Sequence, residues 1–362
     1  MDAFKSAIKN KWVIFSFILF GFTLFIFLAV PVSANEKYYG RYLYPPIRTL
    51  LNNLFGSLTI PGFMMVGPVL LLGLISILLY NLVKKKYMHT LVYSLAYFAC
   101  ILTLFFWVWG FFYKIPALIP QPDLNKIPIQ EREILRTFDR ALSIRNQIGP
   151  DSISPFWSPD IMQLVNDSGK IWLNESLHLL GKPTAIASKQ LRYWPKGFIL
   201  RWGIVGMYFP FTGESTLDRG IHAIRYPSTA LHEWSHSMGF THEGDCNLLA
   251  YIAAQFSDNT FIRYSAEIER LREELIFAAF QNPELFQRVK GKIPPIVEKD
   301  INDIRNYHAR YIGVMSDMGN WLNDQYLKTL SDENGVDDYW LWIIKLHLLE
   351  RENKLLRQLE NK

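Results

Sequence analysis

Three long, nearly charge-free runs in the first third of the chain restrict its architecture more than anything that follows. They are WVIFSFILFGFTLFIFLAVPV (12–32), IPGFMMVGPVLLLGLISILLYNLV (60–83) and HTLVYSLAYFACILTLFFWVWGFFY (89–113). Each has about 20 residues or more, the length a helix needs to cross a bilayer core of roughly 30 Å. Backbone in that core must satisfy its own hydrogen bonds, so each run reads as a transmembrane helix. A cleaved signal peptide is the rival reading of the first run, because VPVSANE contains a small-residue cleavage site. The run is long for that role, and two further spans follow it.

The lysines give the orientation. Lys5, Lys9 and Lys11 precede the first span, and Lys84, Lys85 and Lys86 sit between the second and third. Lysines flanking spans stay in the cytoplasm. The expected topology is a multi-pass inner (cytoplasmic) membrane protein with a cytoplasmic N-terminus. The loop 33–59 and everything after residue 113 then lie on the periplasmic side. The net charge of +5 is modest and its lysine clusters serve topology, so the expected contact is a lipid bilayer and not nucleic acid. Cys100 lies within the third span and Cys246 far downstream, so no disulfide is expected between them.

Outside the spans the pattern changes. The tyrosines, arginines and leucines of loop 33–59 suit either a helix lying in the membrane interface or a plain connector. Residues 114–128 carry four prolines and read as an extended linker. Residues 129–362 read as an outer domain, mostly α with a small β-sheet (α+β). EREILRTFDRALSIRNQI has helical apolar spacing, and TAIASKQLRYW, FILRWGIVGMYFPFTGE and IHAIRY are the candidate strands.

Within that domain, RYPSTALHEWSH predicts a helix start, with Pro227 ending an extended segment and Ser228 or Thr229 as cap. His232 and His236 then share one helix face, one turn apart, and two imidazoles so placed hold one zinc ion. Glu233 points about 100° away from His232 and is free to serve as general base toward a metal-bound water. A catalytic zinc takes a third protein ligand. Gly239 supplies the left-handed turn that brings His242, Glu243 or Asp245 back under the metal. Read literally, HEWSHSMGFTH fits HExxHxxGxxH with His242 as that ligand, but this pattern also needs a methionine turn. Met315 and Met318 of GVMSDMG lie in a helical, charged stretch and read as core.

The chain resembles DUF3810, a bacterial membrane family of unassigned function that carries an HExxH motif. The resemblance covers most of the chain and rests on FFWVWGFFY, GMYFPFTGESTLD, HEWSHSMGFTHEGDCNLLAYIA and NDQYLKTLSDENGVDDYW. The family usually reads H-E-L-A-H-x-x-G-F-x-x-E-x-E-A-N. Glu243 and Asn247 match it. Asp245 stands where glutamate is usual, His242 where arginine is frequent, and Trp234, Ser235 and Cys246 also depart.

The resemblance favours Glu243 as third metal ligand over His242 and Asp245, a gluzincin-like set. Asn247 is placed to steady a ligand, or else is only a polar residue near a helix start. Cys246 reads as a small buried residue. His222 and Tyr264 are candidates for transition-state stabilisation with nothing to single them out. The segment GIVGMYFPFTGE is a candidate strand edge beside the metal, with an ordinary core strand as its alternative.

The expectation is therefore three transmembrane helices followed by a zincin-like domain. That domain is expected to bind one Zn2+ through His232, His236 and Glu243 and to hydrolyse protein or peptide substrates with Glu233 as base. The alternative is a non-catalytic zinc-binding envelope module with a binding or signalling role.

Overall fold

The computed structural model describes residues 6, 7, 9–120, 128–330 and 338–352. Lys5, residues 121–127 of the proline-rich linker and residues 331–337 of the last resemblance segment lie outside the described residues. The chain divides into two units: residues 1–115 with 209–214, and residues 116–208 with 215–362.

The first unit contains α1 (Lys11–Ala29), α2 (Tyr44–Phe55), α3 (Phe63–Val83) and α4 (Tyr87–Val108). Among the described residues α1, α3 and α4 are long and apolar enough to cross a membrane. They are shorter than the apolar runs for local reasons. Pro31 follows the end of α1, and GFFYK after α4 folds into a 3₁₀ turn. Their side-chain distribution is the reverse of a water-soluble bundle. Ser16 and Thr23 of α1 are buried, accepting from or facing Cys100 and Trp107 of α4 (3.1 and 3.0 Å), while Trp12, Phe25 and Leu28 are exposed. Polar groups inside and large apolar groups outside suit a lipid solvent.

Residues 33–59 are largely helical. A π-helical stretch (Asn35–Leu43) leads directly into α2. Its inner face is Asn35, Tyr39, Tyr44, Arg48 and Leu51, and its outer face exposes Tyr38, Tyr42, Leu50 and Leu54. Asn35 and Tyr39 donate to the carbonyls of Phe111 and Trp107 (2.7 and 3.1 Å), and Tyr44 meets Phe112 edge-on. The turn 209–214 is held in this unit by two polar grips. The Glu214 carboxylate accepts from the amides of Gly62 and Phe63 (2.7 and 3.0 Å), where negative charge is favoured at the start of α3. Arg48 donates to the Gly213 carbonyl.

The second unit runs α5 (Glu131–Ile148), α6 (Pro159–Leu179), β1 (Leu191–Trp194), β2 (Gly206–Phe209), β3 (Glu214–Asp218) and α7 (Tyr226–Ser237). Then come α8 (Glu243–Gln255), α9 (Thr260–Gln281), α10 (Pro283–Lys290), α11 (Pro295–His308), α12 (Val314–Leu330) and α13 (Asp338–Arg351). The sheet order is β1-β3-β2, with β1 parallel to β3 in the register Leu191↔Ser215 to Trp194↔Asp218. Helix α8 is buried on nearly every side, as LLAYIAA predicts for a helix apolar all round. The core surrounds it with Leu173, Leu231, Trp234, Ile268 and Ile343.

Three sequence expectations change here. IHAIRY is no strand: His222 caps a 3₁₀ turn (Ala223–Arg225), its ring accepting from the Ile224 amide, and α7 follows at once. Pro227 sits within the first turn of α7, where its missing N–H costs nothing, so neither Ser228 nor Thr229 is the cap. Ser228 instead bonds Ser265, and Thr229 donates back to the Arg225 carbonyl. Met315 and Met318 are 43% and 46% exposed, not core. Helix α12 turns Ser316 and Gly319 inward instead. A Cβ at Gly319 would overlap the Trp202 carbonyl, so glycine alone fits there.

Helices α5, α9 and α13 are joined by buried charges. Arg270 donates to Glu274 (2.7 Å) and to Glu350 (2.9 Å), and His347 lies 3.0 Å from Glu133 and 2.9 Å from Glu274. Burial opposes a charge on His347, but its bonds to the two glutamates outweigh that and raise its pKa above the ordinary 6.5. Burial likewise opposes charge on Glu133, and its bonds to His347 and Arg351 overcome it and lower its pKa from 4.5. The raised histidine contributes stability below 6.5 that is lost as pH rises through its folded value. The depressed glutamate contributes above 4.5 and loses it on acidification. Chemical denaturation across pH should therefore give a stability maximum on the acidic side of neutral. His347→Gln should flatten its alkaline limb; an unchanged limb would show that His347 does not titrate with folding.

Candidate functional site

Helix α7 carries HEWSH on a two-sided surface. Leu231, Trp234 and Ser235 are fully buried in the core, while His232 and His236 face the start of α8. Just beyond the helix end stands Gly239, whose φ of 105° is accessible to glycine and strained for other residues. The Gly239 amide returns to the His236 carbonyl (2.9 Å), the chain reverses, and α8 begins with His242 as N-cap and Glu243 as its first residue.

That reversal places one Glu243 oxygen 3.1 Å from His232 Nε2 and 3.4 Å from His236 Nε2, with the two Nε2 atoms 3.1 Å apart. Ligands about 2.0–2.1 Å from a tetrahedral ion are separated by about 3.3 Å, so the triangle has the size of one face of such a site. The far sides of both rings are fixed. His232 Nδ1 donates to Asn247 Oδ1 (2.7 Å), and His236 Nδ1 donates to the Phe240 carbonyl (2.8 Å). A neutral imidazole that donates from Nδ1 presents a lone pair at Nε2, the form that binds metal. Three lone-pair donors then converge, and the facing Glu243 oxygen accepts no hydrogen bond despite its short contacts. Such a triangle is able to hold a cation at its centre.

The electrostatics agree. Burial works against charge on Glu243, but the two imidazoles overcome it and hold its carboxyl well below the ordinary range. Burial alone would lower His236, yet the Glu243 carboxylate beside it raises it well above the usual value. The pocket therefore favours positive charge, supplied by a proton or by a divalent ion. Among the described residues, His232, His236 and Glu243 are the group able to hold a metal.

The other candidates have different roles. Asp245 pairs with buried Lys345 (3.0 Å) and accepts the Leu118 amide (2.6 Å). His242 caps α8 without joining the cluster. Cys246 is fully buried 3.4 Å from His236 Nδ1, and burial pushes its thiol up to about 12, so it is not a thiolate. The Tyr264 hydroxyl donates to Asp300 (2.7 Å). Burial lowers His222 to about 4, and its ring packs against Tyr307.

Glu233 is 4% exposed, and its Oε2 has no hydrogen-bond partner. Burial lifts its carboxyl to about 7, with the imidazoles opposing and Glu243 assisting. Its carbonyl accepts from Ser215 of β3 (2.7 Å). Its carboxylate approaches β2, an edge strand, at Gly206, where a Cβ would come within 2.7 Å of Oε1. Gly206 therefore makes room for the carboxylate. Sequence reading passed over it because an isolated strand glycine gives no sign of what approaches it.

The family model described as "Protein of unknown function (DUF3810)" matches residues 39–346, most of the chain. No curated protein and no solved structure matches it.

Proposed function

The chain belongs to the DUF3810 family, and from the chemistry of its buried site we propose that it is a membrane-anchored zinc-dependent peptide hydrolase. Its substrates would be protein or peptide segments at the periplasmic face of the inner membrane. The observation that carries this reading is the triangle of three lone-pair donors beside a buried carboxylate whose Oε2 has no partner. Two imidazoles and a carboxylate suit zinc. His232, His236 and Glu243 would hold it, and it would supply Lewis acidity toward a substrate carbonyl and toward water.

The rest is work for the chain's own groups. Asn247 and the Phe240 carbonyl hold both rings in the ligating tautomer. Glu233, desolvated and with its pKa lifted to about 7, takes a proton from the attacking water and returns it to the leaving amine. Strand β2 stands at an edge of the sheet beside Glu233, the kind of position where an extended peptide would pair.

The alternative, a closed structural zinc site, calls for a fourth protein ligand. Among the described residues three donors converge and the neighbouring thiol does not join them. A structural site also has no use for a buried carboxylate like that of Glu233. The outward orientation of the second unit rests on the lysines at 9, 11 and 84–86.

Metal removal tests the proposal. The detergent-solubilised protein should contain about one zinc per chain. Dialysis against a chelator should abolish hydrolysis of fluorescein-labelled casein, and stoichiometric zinc should restore it. Full activity in the metal-free protein would refute the mechanism.

A further inference from the structure

The first turn of α8 offers two buried carboxylates, Glu243 and Asp245, only two residues apart. Glu243 meets the histidines; Asp245 is engaged elsewhere. Its Oδ1 lies 3.0 Å from the ammonium of Lys345, and its Oδ2 accepts the Leu118 amide at 2.6 Å. Lys345 is fully buried, and its partner is 1% exposed. A lysine is rarely placed so deep without a specific carboxylate to meet.

Lys345 does not depend on Asp245 for its position. It lies on α13, which is docked independently by His347 on Glu133 and Glu274, and by Glu350 on Arg270. The ammonium is thus presented to α8 from a separately fixed helix 100 residues further along the chain.

From this, and resting on the metal-site reading above, we infer that Lys345 is a positioning residue for the site. By engaging Asp245 from α13, it fixes the first turn of α8 so that Glu243 is the carboxylate facing His232 and His236. The Leu118 amide completes the grip from a third segment. The C-terminal helix is then part of the site without touching it.

Cobalt(II) titration of the full-length protein in detergent tests this, read by visible absorption bands that report ligand geometry. Lys345→Met should weaken cobalt binding by about 10–100-fold, the usual cost of losing a group that supports a ligand, and should shift the bands. Lys345→Arg, which keeps the charge, should bind cobalt more tightly than Lys345→Met. Arg145→Lys loosens a comparably buried ion pair with Asp300 and loses bonds to Gly149 and Asp151. It should lower stability but leave cobalt affinity and bands unchanged. If Lys345→Met does not fold, Asp245→Asn takes its place and is expected to shift the bands in the same way.

Wild-type affinity and bands in Lys345→Met, or in Asp245→Asn where that stands in, would overturn the inference. Equal weakening by Arg145→Lys would overturn it too, because the effect would then be general loosening. A wild-type protein that binds no cobalt would instead remove the metal reading, a result distinct from either.

Discussion

Glu233→Gln is expected to lower turnover of a labelled protein substrate by about 10³-fold, within the range general acid–base groups contribute. Glutamine keeps the size and burial of the side chain and gives up its basicity. Metal content and cobalt bands should stay at the wild-type level, because Glu233 is outside the ligand triangle. That separation gives the prediction its force. Loss of activity with loss of metal would make Glu233 a structural support, and retained activity would leave the reaction without its base. In the active protein, the rate should rise with pH as Glu233 ionises. A metal ion held as proposed, a positive charge beside the carboxylate, would place that rise below the value of about 7 it holds through burial.

Arg270→Met should produce the largest loss of stability. Arg270 is 1% exposed and joins Glu274 and Glu350, which are also buried or nearly so. Its removal leaves two carboxylates in the interior without their principal counter-charge. Breaking a buried network from one side costs about 3–5 kcal/mol, a large part of the stability of a typical domain. Thermal unfolding should shift down by about 10 °C. Arg288→Met, which breaks an exposed pair with Glu131, should leave the transition where it is. Equal effects of the two substitutions would mean that the buried network contributes no more than the surface pair.

Much of this arrangement was legible in the sequence because it depends on local spacing. Uninterrupted apolar length identified the three long helices. The four-residue separation of His232 and His236 put them on one face, and Gly239 marked the reversal. The third donor was ambiguous because His242, Glu243 and Asp245 all sit within reach of that reversal. What separates Asp245 from Glu243 is a lysine at position 345, a tertiary contact that no local pattern reports.

The central strand was missed for a related reason. ESTLD has no apolar alternation, yet all five residues are buried. Its polar groups are satisfied from outside the strand. Thr216 takes the Trp194 indole, Ser215 bonds the Glu233 carbonyl, and Asp218 accepts the Gly197, Ile199 and Gly220 amides. IHAIRY has strand-like composition, but the ring of His222 offers its own backbone an alternative bond and turns the chain. In α12 the small residues pack inward and the methionines do not, against the usual burial preference.

The amide of Leu118 carries a practical lesson for anyone preparing the second unit of this protein by itself. Sequence pattern alone puts the start of the folded portion near residue 129, and a clone begun there would omit the hydrogen bond to Asp245. If Glu243 is the ligand proposed above, that protein should retain metal less well than one that includes Leu118, for lack of this hydrogen bond and not from weak intrinsic affinity. A soluble version should therefore begin no later than Pro116, where the second unit starts.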